Sequence, residues 1–232
     1  MEIRILWSNW TFWSYTGLLK IIFTTIRLNS FWQEQCDAAY DTTNLKKMVQ
    51  VKHGIQEWLA PIKGLYRITA AGPGYERTGG LGGHISGTFH FDQGEKLHIL
   101  VGQRGDYVGS MTVGGAGGTF VLTAKDQTPL VVAGGAGSSA PGVKASNQSN
   151  ANINQVGRDA SETGINFGFG GIRGGKGLRG SIGTGGGAGL TEDGNLALVN
   201  NPRDTTDPAI ALLGNGTFDA NANILYPGAG GR

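Results

Sequence analysis

The chain has 232 residues, 39% hydrophobic and 16% charged, a length of one or two domains and too apolar a composition for a solvated disordered tail. Nineteen lysines and arginines against 17 acidic residues leave a formal charge of +2, which excludes the electrostatic footprint that holds a nucleic acid or an anionic membrane surface. Glycine stands out at 42 residues, against a usual share of about 7%, while seven prolines are too few for collagen.

Composition divides the chain in two. Residues 1–53 hold a single glycine, Gly17, and the first 32 hold Trp7, Trp10, Phe12, Trp13, Tyr15, Phe23, Phe31 and Trp32, eight of the 20 aromatics. Arg4 precedes an apolar run from Trp10 to Ile26, the layout of a signal or anchor segment with interfacial aromatics. Lys20 interrupts that run, at a cost of about 3 kcal/mol if it sat at a bilayer centre. An amphipathic helix packed on the body, or residues preceding the true domain, are the alternatives. The reading is a short N-terminal helical segment within residues 1–45, with residues 1–33 as the only membrane contact and Asp37 to Lys47 as a polar linker. A glycine-rich domain then spans 46–232. The lone cysteine, Cys36, excludes an internal disulfide and falls outside that domain.

From about Gln50 onward the pattern is strand and breaker. Leu65–Ala71 alternates apolar and polar residues before Gly72-Pro-Gly74, and Ile85, Gly87, Phe89 and Phe91 share one face of the next strand. Lys96–Val101 follows the turn signal Asp92-Gln-Gly94; Thr119–Thr123 and Leu130–Ala133 are joined by a turn with Asp126 and Pro129. Short strands so spaced predict a mainly β, antiparallel sandwich.

Between 168 and 189, glycine recurs at every third place: Gly168, Gly171, Gly174, Gly177, Gly180, Gly183, Gly186 and Gly189. A polyproline II helix has three residues per turn, so this register strips one whole edge of Cβ atoms and lets another backbone approach. No proline lies between them, so every N–H stays available for bonds to neighbouring helices. The run predicts a strut of a polyglycine II bundle. The clusters 79–83, 114–118, 134–137 and 228–231 are shorter struts or plain flexible loops.

Gly64-Leu-Tyr-Arg-Ile-Thr-Ala-Ala-Gly72, Leu97-His-Ile-Leu-Val-Gly-Gln103, Gly114-Gly-Ala-Gly-Gly-Thr-Phe-Val121 and Pro129-Leu-Val-Val-Ala-Gly-Gly135 resemble, in order and spacing, the glycine-rich domain of the anaplastic lymphoma kinase and leukocyte tyrosine kinase receptors. Gly54-Ile-Gln-Glu-Trp58 before Pro61 is also similar, and the likeness spans roughly residues 50 to 190. The resemblance implies a tumour-necrosis-factor-like sandwich, jelly-roll-like in its connections, with an inserted polyglycine II bundle, an extracellular or cell-surface setting and recognition of a protein ligand. The 232 residues hold no kinase domain, and the expected long glycine run is cut off at Gly228-Ala-Gly-Gly-Arg232, as expected of a fragment or a domain truncated at its C-terminus. No motif carries over the receptors' ligand contacts.

Arg104-Gly105-Asp106 after a predicted strand is a weak adhesion candidate, and Asn147 and Asn215 sit in glycosylation sequons, as does Asn9 in the aromatic segment. The histidines His53, His84, His90 and His98 lack metal-ligand spacing, although His84 and His90 are potential neighbours. There is no phosphate-loop motif, dinucleotide fingerprint or nucleophile elbow. Only Arg173-Gly-Gly175 fits an RNA-binding glycine repeat. The sequence therefore points to a non-catalytic recognition or adhesion module with no cofactor and an unnamed protein or glycan ligand. A structural spacer or a phage or viral tail-type adhesin is the alternative.

Overall fold

A computed structural model describes residues 2–6, 20–24, 33–43, 45–52, 55–74, 80–102, 107–108, 112–113, 116–137 and 151. Among these the protein is mainly β, with mostly antiparallel pairing. The strands are β1 (Glu2–Leu6), β2 (Lys20–Thr24), β3 (Val49–Lys52), β4 (Ile55–Leu59), β5 (Gly64–Ala71), β6 (His84–Phe91), β7 (Lys96–Leu100), β8 (Tyr107–Val108), β9 (Thr112–Val113), β10 (Thr119–Thr123) and β11 (Pro129–Ala133), with one helix, α1 (Gln33–Tyr40). The five strands expected from the alternation are β5, β6, β7, β10 and β11.

One sheet has the order β2-β1-β5-β6 and the other β11-β10-β7-β4-β3; β8 and β9 form a small hairpin. Burial alternates along β4, as a half-buried strand requires, whereas β10 is buried on both faces, Phe120 and Leu122 packing with Leu100 in a separate cluster. Tyr66, Ile68 and Ala70 of β5 and Phe91 of β6 share one buried cluster with Trp58, Leu97, Ile99, Val121, Val131 and Ala133 of the other sheet. Trp58 meets Tyr66 edge-on at 5.8 Å between ring centroids, and Tyr66 lies 5.5 Å from Phe91. Phe89 stacks on Phe91 at 6.2 Å. Its ring occupies the space a Cβ on Gly87 would need, 2.7 Å away.

At one end, two corners carry the chain between the sheets: residues 60–63 from β4 to β5, and residues 92–95 from β6 to β7. Ala60 N–H donates to Glu95 C=O at 2.9 Å, and Gly94 N–H donates to Ala60 C=O at 2.8 Å. The second bond needs Gly94 at φ +81°, a left-handed conformation that glycine adopts without steric cost. The Tyr66 hydroxyl donates to Ile62 C=O at 2.6 Å and fixes the other corner.

In the N-terminal region the helix Gln33–Tyr40 lies within residues 1–45, where a short helical segment is expected, but beyond the apolar run. Lys20–Thr24, inside that run, is a strand that pairs parallel with β1, which pairs parallel with β5 through Glu2↔Arg67 to Ile5↔Ala70. Residues of the expected polar linker at 37–47 are also packed: Tyr40 and Leu45, with Cys36 before them, are 0–1% exposed members of the central core. An eight-residue helix is marginal by itself in water; tertiary contacts hold this one. Gln33 Nε2 donates to Val49 C=O at 2.8 Å, and Gln33 Oε1 accepts from Val51 N–H at 3.0 Å, so one side-chain amide occupies the free edge of β3. Four residues apart on one helix face, Cys36 and Tyr40 point inward, and the Tyr40 hydroxyl donates to Gln56 Oε1 at 2.6 Å. No helix among the described residues is long and apolar enough to cross a membrane.

Burial, with the neighbouring Asp37 charge, pushes the Cys36 thiol up to about 11, so it is protonated and shielded at neutral pH. Thiol labelling of the native protein at pH 8 is therefore expected to proceed only as fast as α1 detaches, and to become immediate in denaturant. Rapid labelling of the folded chain would place Cys36 outside the core.

Candidate functional site

Glycines gather where β5, β7 and β11 end and β6 and β10 begin. Segments 72–74, 80–83, 116–118 and 134–137 are neither strand nor helix, yet they bond to one another backbone to backbone. Gly72 N–H donates to Gly83 C=O at 2.8 Å, and Gly83 N–H to Gly134 C=O at 2.7 Å. Ala116 N–H reaches Ala136 C=O at 2.9 Å, Ala136 N–H reaches Pro73 C=O at 3.0 Å, and Ala151 N–H reaches Leu81 C=O at 2.8 Å. These bonds tie the end of one sheet to the end of the other.

The segments approach too closely for side chains. A Cβ on Gly72 would lie 2.0 Å from Gly134 O, and one on Gly82 would lie 2.1 Å from Gly72 O. On Gly102 or Gly135 it would meet Gly117 O at 2.5 Å. Real Cβ atoms do not come so near a carbonyl, and backbone atoms cannot swing aside as a side-chain tip can.

Thr119 locks this end. Fully buried, its hydroxyl donates to Ala71 C=O at 2.9 Å and accepts from Gly102 N–H at 3.0 Å. One side chain thereby joins the last residue of β5, the exit of β7 and the first residue of β10. A lone threonine after two glycines carries no signal of this role in the sequence.

The donors decide the chemistry. A phosphate-binding glycine loop keeps N–H groups free and aimed at the ligand, whereas here the N–H groups of Gly72, Gly83, Gly102, Ala116 and Ala136 are all bonded to protein acceptors. Gly72, Pro73, Ala116, Gly117 and Gly118 are buried. These five N–H groups are spent on the chain itself.

A second polar group lies on the outer face of the five-stranded sheet. Glu57 takes Lys52 and Lys96 ammonium groups at 3.0 Å each, and His98 Nε2 lies 3.4 Å from its other oxygen. Burial pulls the Glu57 carboxyl upward, but hydrogen bonds and charge from Lys96 and Lys52 outweigh it and hold the group below its ordinary 4.5. A carboxylate neutralised by two ammonium groups is a poor general base. His84 and His90 stand six residues apart on β6, opposite Ala71 and Leu65, and are not neighbours. Among the described residues no group of three or more His, Cys, Asp or Glu is placed to hold a metal ion.

Several expected residues lie outside the described residues: the period-three glycines Gly168 to Gly189, the triplet Arg104-Gly105-Asp106, and the sequon residues Asn147 and Asn215. The nearest described residues are Gly102, two residues before the triplet, and Tyr107, directly after it. No model of a known protein family matches the chain.

Two measurements follow. Gly72→Ala is expected to cost about 3 kcal/mol or to abolish folding, whereas Gly64→Ala, with nothing within 4 Å of the new methyl, stays within about 0.5 kcal/mol of the parent; equal denaturation midpoints would mean that the segments are not in contact. The depressed Glu57 carboxyl stabilises the fold above its ordinary pKa, and that contribution disappears as pH falls through the lower folded value. Glu57→Gln should thus make the melting temperature less sensitive to pH below 4.5, by a small amount because both lysine side chains are well exposed. An unchanged acid slope would show the ion pairs to be without weight.

Proposed function

We propose that the protein is a non-catalytic recognition or adhesion module acting outside the cell or at its surface, built like the glycine-rich domain of the anaplastic lymphoma kinase and leukocyte tyrosine kinase receptors. In this reading the two sheets form a β-sandwich of the tumour-necrosis-factor kind. Polyglycine II struts extend from its glycine-packed end, the run from Gly168 to Gly189 being the longest. A protein or glycan binds the stiff surface that sandwich and struts present together.

One observation carries the reading: glycine segments far apart in sequence exchange backbone hydrogen bonds at separations that exclude Cβ atoms. Such packing is what a polyglycine II bundle requires at its root, because helices without internal bonds must bond to each other. A flexible linker gains nothing from it. The bonding of the Gly72, Gly83, Gly102, Ala116 and Ala136 N–H groups within the chain also favours a scaffold over a cofactor or nucleotide site. Stiffness serves recognition by lowering the ordering cost at binding.

The strut is tested by substitution. Alanine at both Gly177 and Gly180 is expected to lower the unfolding midpoint through clashes along the bare edge, while alanine at Leu178 and Arg179 leaves it unchanged; equal tolerance of the two pairs returns the segment to a loop. The recognition role is tested by passing extracellular extracts and a glycan array over the immobilised full chain. Saturable capture of one protein or glycan at or below micromolar concentration is the expected result, and none would leave a stiff spacer.

A further inference from the structure

Strand edges attract other strands, because they present a row of unpaired N–H and C=O groups. Among the described residues the two sheets have four edges, β2, β6, β3 and β11, and three carry a recognised safeguard. On β3 the Gln33 amide fills the backbone positions of Val49 and Val51, with Lys52 closing the strand. Pro129 opens β11, whose pairing with β10 shifts register between Val121 and Leu122. A lysine, Lys20, begins β2. The fourth edge differs: β6, eight residues reading HISGTFHF, has no proline, lysine or acidic residue, and its register with β5 is unbroken from Ala71↔His84 to Gly64↔Phe91. His84, Ile85, Ser86, Thr88 and His90 are exposed.

We propose that β6 pairs with the β6 of a second copy of this chain, antiparallel about a two-fold axis through Gly87, joining two four-stranded sheets into one. This assembly is independent of the recognition role proposed above.

The strand is its own complement in that register. Opposed residues of an antiparallel pair share a face, and faces match only if the paired numbers have the same parity. Centring on Gly87 sets His84 against His90 of the partner subunit, Ser86 against the partner's Thr88, and Gly87 against the partner's Gly87, where neither copy brings a Cβ to the axis. The pairing that favours a second copy over an unrelated strand is Ile85 against the partner's Phe89. Ile85 lies on the same strand face as Phe89 and Phe91, which pack into or against the core, yet it is 45% exposed. A partner's ring at that place finishes the apolar row, and β-branched against aromatic is among the better cross-strand combinations. Electrostatics oppose it little, because no Lys, Arg, Asp or Glu lies in β6 and the whole chain carries only +2. Isologous pairing also closes on itself, so it ends at a dimer and does not grow into a filament.

Sedimentation of the full chain from about 1 to 100 µM tests the pairing. A mass of twice 24.2 kDa at the upper end is expected. Ile85→Lys puts a charge on the inner face of the edge, a recognised block to pairing, and should raise the dimer dissociation constant at least about tenfold, or 1.4 kcal/mol, with unchanged circular dichroism. The double variant Ser86→Cys, Thr88→Cys should form a covalent dimer on mild oxidation, and neither single variant should, because residue 86 faces residue 88 of the partner; the buried Cys36 does not compete. A chain still monomeric at about 100 µM overturns the proposal, as does a double-cysteine variant that crosslinks no better than the singles. Capture of a different chain by a monomer through the same Ile85-sensitive edge overturns it too, since the edge would then serve another partner.

Discussion

Among the described glycines, Gly72 and Gly82 leave least room for a Cβ, each passing another stretch of bare backbone. Gly72 passes Gly134 with no room for even a methyl group between them, and Gly82 passes Gly72 in the same way. That constraint sets how the ends of the two sheets meet, because Gly72 leaves β5 in one sheet and Gly134 leaves β11 in the other. Backbone N–H and C=O groups buried there must be satisfied, and the inter-segment bonds satisfy them where no regular ladder can. Thr119 supplies the side-chain counterpart, its single hydroxyl serving a carbonyl and an amide from two different strands. At the far end the requirement is milder: Gly94 needs only a left-handed φ in open space.

Between these ends the core is conventional, aliphatic residues packed around Trp58, Tyr66 and Phe91, with Phe120, Leu100 and Leu122 in a separate cluster, and hydrophobic burial drives its formation. The N-terminal helix belongs to this core although its composition gives little hint of it. Among its described side chains Cys36 and Tyr40 are buried, and the third anchor is polar. Gln33 uses its amide as though it were one more residue of a neighbouring strand, which holds the helix and shields an edge in one interaction.

The division of labour among backbone donors separates this glycine architecture from glycine-rich loops that bind ligands. In a ligand-binding loop, glycine brings N–H groups to a guest; in this chain it brings them to other parts of the same chain. The outcome is a backbone-to-backbone junction at the point where the strands of both sheets converge. The guarded edges point the same way, toward a body that offers strands to other chains sparingly and at one chosen place.

The residues alone located β5, β6, β7, β10 and β11 within a residue or two at each end, because alternation and glycine punctuation are local properties that hold whatever the strands pack against. Local pattern likewise fixed the mainly β class. β3 and β4 were harder to read, being five residues or fewer with polar Gln50, Gln56 and Glu57 among them, and they exist because β7 offers β4 a partner. The helix at Gln33–Tyr40 and the burial of Cys36 were not legible, since eight residues with two inward side chains carry too little periodicity, and what holds them, Val49, Val51 and Gln56, lies up to 18 residues away. Nor does a glycine cluster say whether it is a loop or a packed segment. That depends on whether another backbone arrives within bonding distance, and only the folding of distant strands brings Gly134 to Gly83 and Ala136 to Pro73.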